Sequence, residues 1–254
     1  MILTGWNGPF AIFGKTKMTE WKAKRFWKEA QVVQAAEGWT VALDGRAVKT
    51  PAKAPLIVPT AAIAQAVAAE WDAQDGEIDP LSMPYTRTAN AAIDKVAVQR
   101  AEVADMLAAY GDADLLCYRA DSPAELVERQ AATWDPYLDW ADQALGARLY
   151  PRVGLMHESQ DETALLVLAR RTHTLTSFEL ASFHDLVSLS GSLILGFAAA
   201  QDQGETHDIW AASRLDETWQ EEQWGVDEEA QEEVKVKKTA FFHAKAFFDA
   251  TQAV

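Results

Sequence analysis

The chain reads as an α+β protein, a small β-rich N-terminal domain followed by a larger all-helical C-terminal domain. Three observations predict this. Residues 25–58 hold short β-branched and aromatic runs broken by Glu37-Gly38 and Asp44-Gly45. At Pro59-Thr60 the apolar period lengthens to that of a helix, and beyond Pro84 almost every segment keeps that period.

Taken in order, residues 1–17 read as a leader or vector-derived extension, expected to be poorly ordered, and the β-rich domain spans residues 18–84. Asp44-Gly45 suits a tight hairpin because both central residues need positive φ, so Trp39–Leu43 should pair with Arg46–Lys49. Leu56–Val58 adds another short strand. Ile63, Val67 and Trp71 follow at four-residue steps, one face of a helix. The proline-bearing loop Asp75–Pro84 marks the domain boundary, and the helical domain covers residues 85–254. There, Ile93 to Tyr110 predict a helix ending at Gly111. Further helices are expected near Pro123–Leu145, Glu162–Thr174, Ser177–Gln201, His207–Gln223 and Glu228–Ala250. Within the first of these, Asp135-Pro136 resembles a helix restart, with Asp135 as cap and Pro136 at the first helical position.

Composition narrows the function. A formal charge of −15 over 254 residues argues against nucleic-acid or anionic-membrane binding, which need clustered Lys and Arg. The single cysteine, Cys117, excludes an intrachain disulfide and any CxxC site, which fits a reducing compartment. The longest uncharged run, Leu186–Gln201, has 16 residues, short of the roughly 20 that span a bilayer. It reads as part of a buried core helix, with Gly191 and Gly196 permitting close helix packing.

Catalytic signatures are sparse. "GPFAIFGKT" places five residues between Gly8 and Gly14 where a phosphate loop has four, and no strand precedes it. His157-Glu158 lacks the second histidine of a helical zinc motif. His173 and His184 read as structural histidines. Cys117 lies among apolar neighbours rather than in the electropositive setting of a reactive thiolate. Ser190-Gly191-Ser192 lacks the glycine spacing of a nucleophile elbow. No dinucleotide fingerprint is present, and no cofactor is expected.

The most unusual stretch is "SRLDETWQEEQWG", Ser213–Gly225, with four carboxylates and two tryptophans in thirteen residues. On one continuous helix, Ala212, Leu215 and Trp219 share a core face, while Trp210, Arg214, Glu217 and Glu221 form a second stripe extended by Trp224. Gly225 suits a left-handed helix terminus. Two readings stay open on composition alone: a solvated acidic face, or a surface that meets another protein.

The segments "RFWKEAQV", "GWTVALDGRAVKTP", "AVAAEWDAQ", "MPYTRTANAAID", "DADLLCYRA", "ERQAATWDPYLDW" and "SRLDETWQEEQWG" together resemble, in order, the assembly-chaperone family for the α subunit of the F-type ATP synthase catalytic head. The resemblance runs from about Arg25 to Phe248. It implies a β-containing N-terminal domain, a helical C-terminal domain and a non-catalytic role, holding the unassembled α subunit until the β subunit takes its place. The family's acidic-aromatic segment carries over to Glu217, Gln220, Trp224 and Gly225, with Asp216 and Glu221 beside them, as partner-binding residues. No mitochondrial targeting leader is recognised, so a bacterial cytoplasmic protein, monomeric when free, is expected. The alternative is a small-molecule enzyme using carboxylates such as Glu217 and Glu221 at the domain junction.

Overall fold

The structure is a computed structural model and describes residues 24–154 and 156–253. The expected leader, residues 1–17, and the start of the following segment lie outside the described residues.

An antiparallel sheet opens the fold. Strand β1 (Ala30–Ala35) pairs with β2 (Gly38–Leu43), which pairs in turn with β3 (Arg46–Ala47). The β2–β3 turn is set by Asp44 and Gly45, whose φ values are 46° and 80°, as a two-residue hairpin with the native strand twist requires. Leu56–Val58 does not form a strand. It meets β2 at an isolated bridge, Trp39–Val58, and through the Thr40 hydroxyl, which donates to the Leu56 carbonyl at 2.6 Å; the flanking Pro55 and Pro59 have no N–H to extend a ladder. Where it crosses β2, a Cβ on Gly38 would sit 2.4 Å from the Val58 carbonyl oxygen, so only glycine fits.

Helix α1 (Ala61–Asp72) starts at Thr60, whose side chain accepts the Ile63 N–H, and lays Ile63 and Val67 against Val41, Leu56 and Val58. The next helix departs from expectation. Helix α2 (Pro84–Ala91) continues through a π turn at Ala92–Val96, and a fresh helix α3 (Arg100–Ala108) begins after a short turn. The wide turn, closed by Ala97 N–H donating to the Ala92 carbonyl, throws the chain out of α-register. Gly111 does not terminate α3. It is buried in a following 3-10 turn, and a Cβ there would come within 3.3 Å of Leu165 and Leu168, so its small size serves packing.

Helix α4 (Ala124–Trp140) also differs from the expected restart, since it runs unbroken through Pro136. Pro136 removes one backbone hydrogen bond without ending the helix. Trp134 is fully buried and donates its indole N–H to the Ala212 carbonyl at 2.8 Å, while Asp135 caps nothing and receives Arg119 at 2.7 Å. Helix α5 (Glu162–Thr174) matches its expected range. The expected helix over Ser177–Gln201 is two, α6 (Ser177–Ser190) and α7 (Leu193–Ala200). Gly191 takes the left-handed conformation, φ 70°, that ends α6, and Ser192 then caps α7 through the Leu195 N–H. Gly196 alone has the packing role: a Cβ there would meet Val187 Cγ2 at 2.6 Å.

Helices α8 (Thr206–Ser213), α9 (Leu215–Trp224) and α10 (Glu228–Gln252) complete the chain. The helical region also contains a two-residue parallel ladder between β4 (Tyr118–Arg119) and β5 (Arg152–Val153). Most helices share one core, which includes Trp134, Phe183, Leu195 and Phe241. The core beneath the sheet is separate, and α10 contributes Phe247 to it.

Candidate functional site

Ser213–Gly225 is not a single helical face. The helix breaks at Arg214, φ −112° and ψ 16°, between α8 and α9. In one continuous helix, Trp210 and Leu215 would lie about 140° apart. The break lets both enter the core, Trp210 against Phe241 with ring centroids 5.4 Å apart. Trp210 therefore does not belong to the polar stripe predicted for it. Ala212 and Leu215 are buried as expected, whereas Trp219 is only partly so.

Three contacts fix α9 on the rest of the molecule. Gln130 of α4 is almost fully buried; its carbonyl accepts the Ala120 N–H at 2.9 Å and its Nε2 donates to Asp216 Oδ1 at 2.7 Å. One side chain thus ties Ala120, just after β4, to the first turn of α9. Nearly two turns along α9, Arg129 donates both terminal nitrogens to Glu222, at 2.6 and 3.0 Å, and lies 5.9 Å from the Trp219 ring. That bidentate bond holds the Glu222 carboxyl below its ordinary value and raises the Arg129 guanidinium. At the far end, Gln231 of α10 donates to Glu221 Oε1 at 2.8 Å.

Between the 118–126 segment and α9 lies an open groove of about 740 Å³. Its walls include Tyr118, Pro123, Leu126, Trp219 and Trp224, with Asp121, Asp216, Gln220 and Gln223 among its polar atoms. Trp224, 80% exposed, stands at its rim. Of the residues singled out from sequence, Asp216, Gln220 and Trp224 come together here. Glu217 does not line the groove and is paired with Arg214 at 2.8 Å. Glu221 and Gly225 are also outside it; Gly225 ends α9 with positive φ, 94°, but its ψ of 165° is extended rather than left-handed helical.

Sequence reasoning missed the opposite wall, Tyr118 to Leu126, and the linking Gln130. Only Tyr118–Ala120, in "DADLLCYRA", and Gln130, in "ERQAATWDPYLDW", fall inside quoted motifs; Asp121–Leu126 lies between them, and nothing in the spacing shows that α4 and α9 are neighbours. Arg119 also borders the groove, but its charge is directed away from it. Its Nε donates to the Leu116 carbonyl at 2.8 Å and its terminal nitrogen to Asp135.

Elsewhere the reactive residue types are engaged in structure. Cys117 is buried, and burial pushes its thiol up to about 12. His157 lies against Asp112, His173 against Asp105 and His184 against Asp185. Among the described residues no group of three or more His, Cys, Asp or Glu side chains is placed to hold a metal ion.

A helical scaffold whose groove is walled by aromatics and carboxylates falls, with its known relatives, in the class of protein-handling chaperones. The family model described as ATP12 chaperone protein matches residues 24–142. The crystal structure of Atp12 from Paracoccus denitrificans superposes with a TM-score of 0.89 at 46% identity, over 91% of this chain and 100% of that one. A structure from Agrobacterium tumefaciens gives 0.86 at 41% identity, over 89% and 85%. The mitochondrial protein atp12 of Schizosaccharomyces pombe is 27% identical over 222 residues, 82% of this chain and 76% of the relative. This chain belongs to the ATP12 chaperone family.

Proposed function

We propose that this protein binds the unassembled α subunit of the F-type ATP synthase catalytic head and keeps it assembly-competent, as a monomer without catalytic activity, in a bacterial cytoplasm. One observation carries the reading to a surface: α9 presents an 80% exposed tryptophan, Trp224, beside a groove that also holds Asp216 and Gln220. An unassembled subunit exposes interface that resembles a core cut in half. A holder has to cover apolar area and still be displaceable, which an aromatic anchor inside an acidic, hydrated rim allows.

Asp216, Glu217, Gln220, Glu221, Trp224 and Gly225 are proposed as the partner-facing segment, the groove-lining three in direct contact and Glu217 and Glu221 on its acidic flank. The enzyme alternative loses its physical basis, because Glu217 is paired with Arg214, Glu221 takes the Gln231 amide, and neither lines the groove. The relatives from Paracoccus and Agrobacterium support the bacterial assignment. No described helix is long and apolar enough to cross a membrane.

Co-expression tests the proposal. The soluble fraction of the cognate α subunit should rise several-fold when this chain is present, and the purified chain should not hydrolyse ATP above a buffer blank. An unchanged soluble fraction, or hydrolysis that copurifies with the chain, would overturn it.

A further inference from the structure

We propose that the α9 groove recognises an arginine side chain flanked by apolar residues on a flexible segment of its partner. This rests on the chaperone reading above and specifies what the groove takes. The charge balance inside the groove carries the inference. Its one cation among the described residues, Arg119, is spent on Asp135 and on the Leu116 carbonyl. The groove's carboxylates, Asp121 and Asp216, have no Lys, Arg or His within ion-pair distance among the described residues, whereas the neighbouring Glu217 and Glu222 are both neutralised. Among the described residues Asp121 accepts only the Ser122 hydroxyl, at 3.1 Å, and Asp216 only the Gln130 amide. Among the described residues each keeps one oxygen free of any such bond, so the groove has a deficit of positive charge.

The walls select the kind of cation. Tyr118, Trp219 and Trp224 offer flat aromatic surface, and Leu126 and Pro123 offer aliphatic surface. A guanidinium is planar, weakly hydrated and able to stack on aromatic rings while donating to carboxylates, whereas an ammonium is a compact, strongly hydrated charge. The chain already uses this chemistry once at the same place, since Arg129 binds Glu222 in bidentate fashion beside the Trp219 ring. At about 740 Å³ the space is larger than one side chain needs, which leaves room for apolar neighbours against Leu126 and Trp224.

Fluorescein-labelled peptides of alternating leucine and arginine, leucine and lysine, or leucine and glutamate can be titrated with the full chain at physiological salt and followed by anisotropy. The arginine peptide should bind several-fold more tightly than the lysine peptide, and the glutamate peptide should not bind. Asp121→Asn combined with Asp216→Asn should weaken arginine-peptide binding about tenfold, whereas Glu228→Gln with Glu229→Gln, at the start of α10, should leave it unchanged. Asp121→Asn alone, at an exposed position, gives a partial loss without risk to the fold. Equal losses from both double variants, or equal affinity for lysine and arginine, would overturn the inference. So would self-association of the chain that the Asp121/Asp216 variant abolishes, which would assign the groove to a second copy. Co-expression separates the two levels. If the double variant still solubilises the α subunit as well as the parent does, the groove assignment fails and the chaperone reading stands; if the parent itself does not, the chaperone reading fails and the peptide titration still judges the groove.

Discussion

Asp114 shows how a single buried carboxylate can set a pH dependence. It is fully buried, and burial lifts its carboxyl from 3.8 to about 6 although it accepts the N–H groups of Leu116 and Ile194, each at 3.0 Å. The folded value lies above the unfolded one, so the unfolded chain releases this proton first. The contribution is fully favourable below about pH 4, falls as pH rises through about 6, and amounts to about 3 kcal/mol across that window. Asp114→Asn removes the titration and places an NH₂ where one amide needs an acceptor. Urea unfolding should therefore show Asp114→Asn costing more at about pH 5 than at about pH 7.5; the reverse order would mean that the amide bonds outweigh burial. At the same scale, Glu217→Lys and Leu215→Ala separate surface from core. Losing the Arg214–Glu217 pair, whose carboxylate is 46% exposed, should change stability by no more than about 1 kcal/mol, while weakening α-subunit binding. Leu215, 4% exposed, should cost roughly 2–5 kcal/mol on truncation to alanine. Thermal unfolding and a binding titration on both variants check this, and normal binding by a folded Glu217→Lys protein would remove Glu217 from the contact surface.

Among the elements, the breaks between helices decide where the groove lies. The α6–α7 break has a local cause, Gly191 in the left-handed conformation. The α8–α9 break has none, since Ser213-Arg214-Leu215 contains no glycine or proline. It forms because Trp210 and Leu215 both gain burial by it. This difference explains what was legible. Residue type at Asp44-Gly45, Thr60, Asp161 and Thr176 marks a turn and helix starts, and the structure has them there. The α8–α9 break and the unbroken run of α4 through Pro136 have no such local marker in the sequence. Two substitutions test the packing between elements. Gly196→Ala gains helix propensity but places a Cβ 2.6 Å from Val187 Cγ2, so it should destabilise by about 1–3 kcal/mol. Adding Val187→Ala should make the double variant less destabilised than the two single effects combined, as thermal unfolding would show. Gln130→Leu keeps the volume but leaves the Ala120 N–H and Asp216 without their partner. It should cost about 1–3 kcal/mol and loosen α9, seen as faster amide exchange in residues 215–224.

For the molecule as a whole, α10 spans both cores. Phe241 and Phe248 belong to the helical core, while Phe247, fully buried, belongs to the core beneath the sheet. The sheet region therefore depends on the end of the chain. Thr60 strengthens the link by donating its hydroxyl to the Ala250 carbonyl at 2.6 Å. Lys245 ties α10 to the turn after α7. Burial disfavours its charge, but Asp202 and Asp249, at 2.6 and 2.5 Å, outweigh this and raise its ammonium. Phe247→Ala should cost about 3–5 kcal/mol, and calorimetry should show one shifted transition rather than an early, separate melting of the sheet. Two resolved transitions would mean that the cores unfold independently.

By itself the sequence determined the order of sheet and helices, the first hairpin, most of the helix starts and the acidic-aromatic character of Ser213–Gly225. These follow from interactions within a few residues: paired positive φ at Asp44-Gly45, side-chain caps, and apolar spacing. Only the tertiary structure decided that Asp216 turns to Gln130, and that Tyr118–Leu126 faces Trp219 and Trp224 across a groove. Those pairings join residues about ninety positions apart, such as Gln130 with Asp216 and Arg129 with Glu222. Which of several equivalent carboxylates on a short helix becomes a site is set by what packs beside it, and that depends on how the whole core closes.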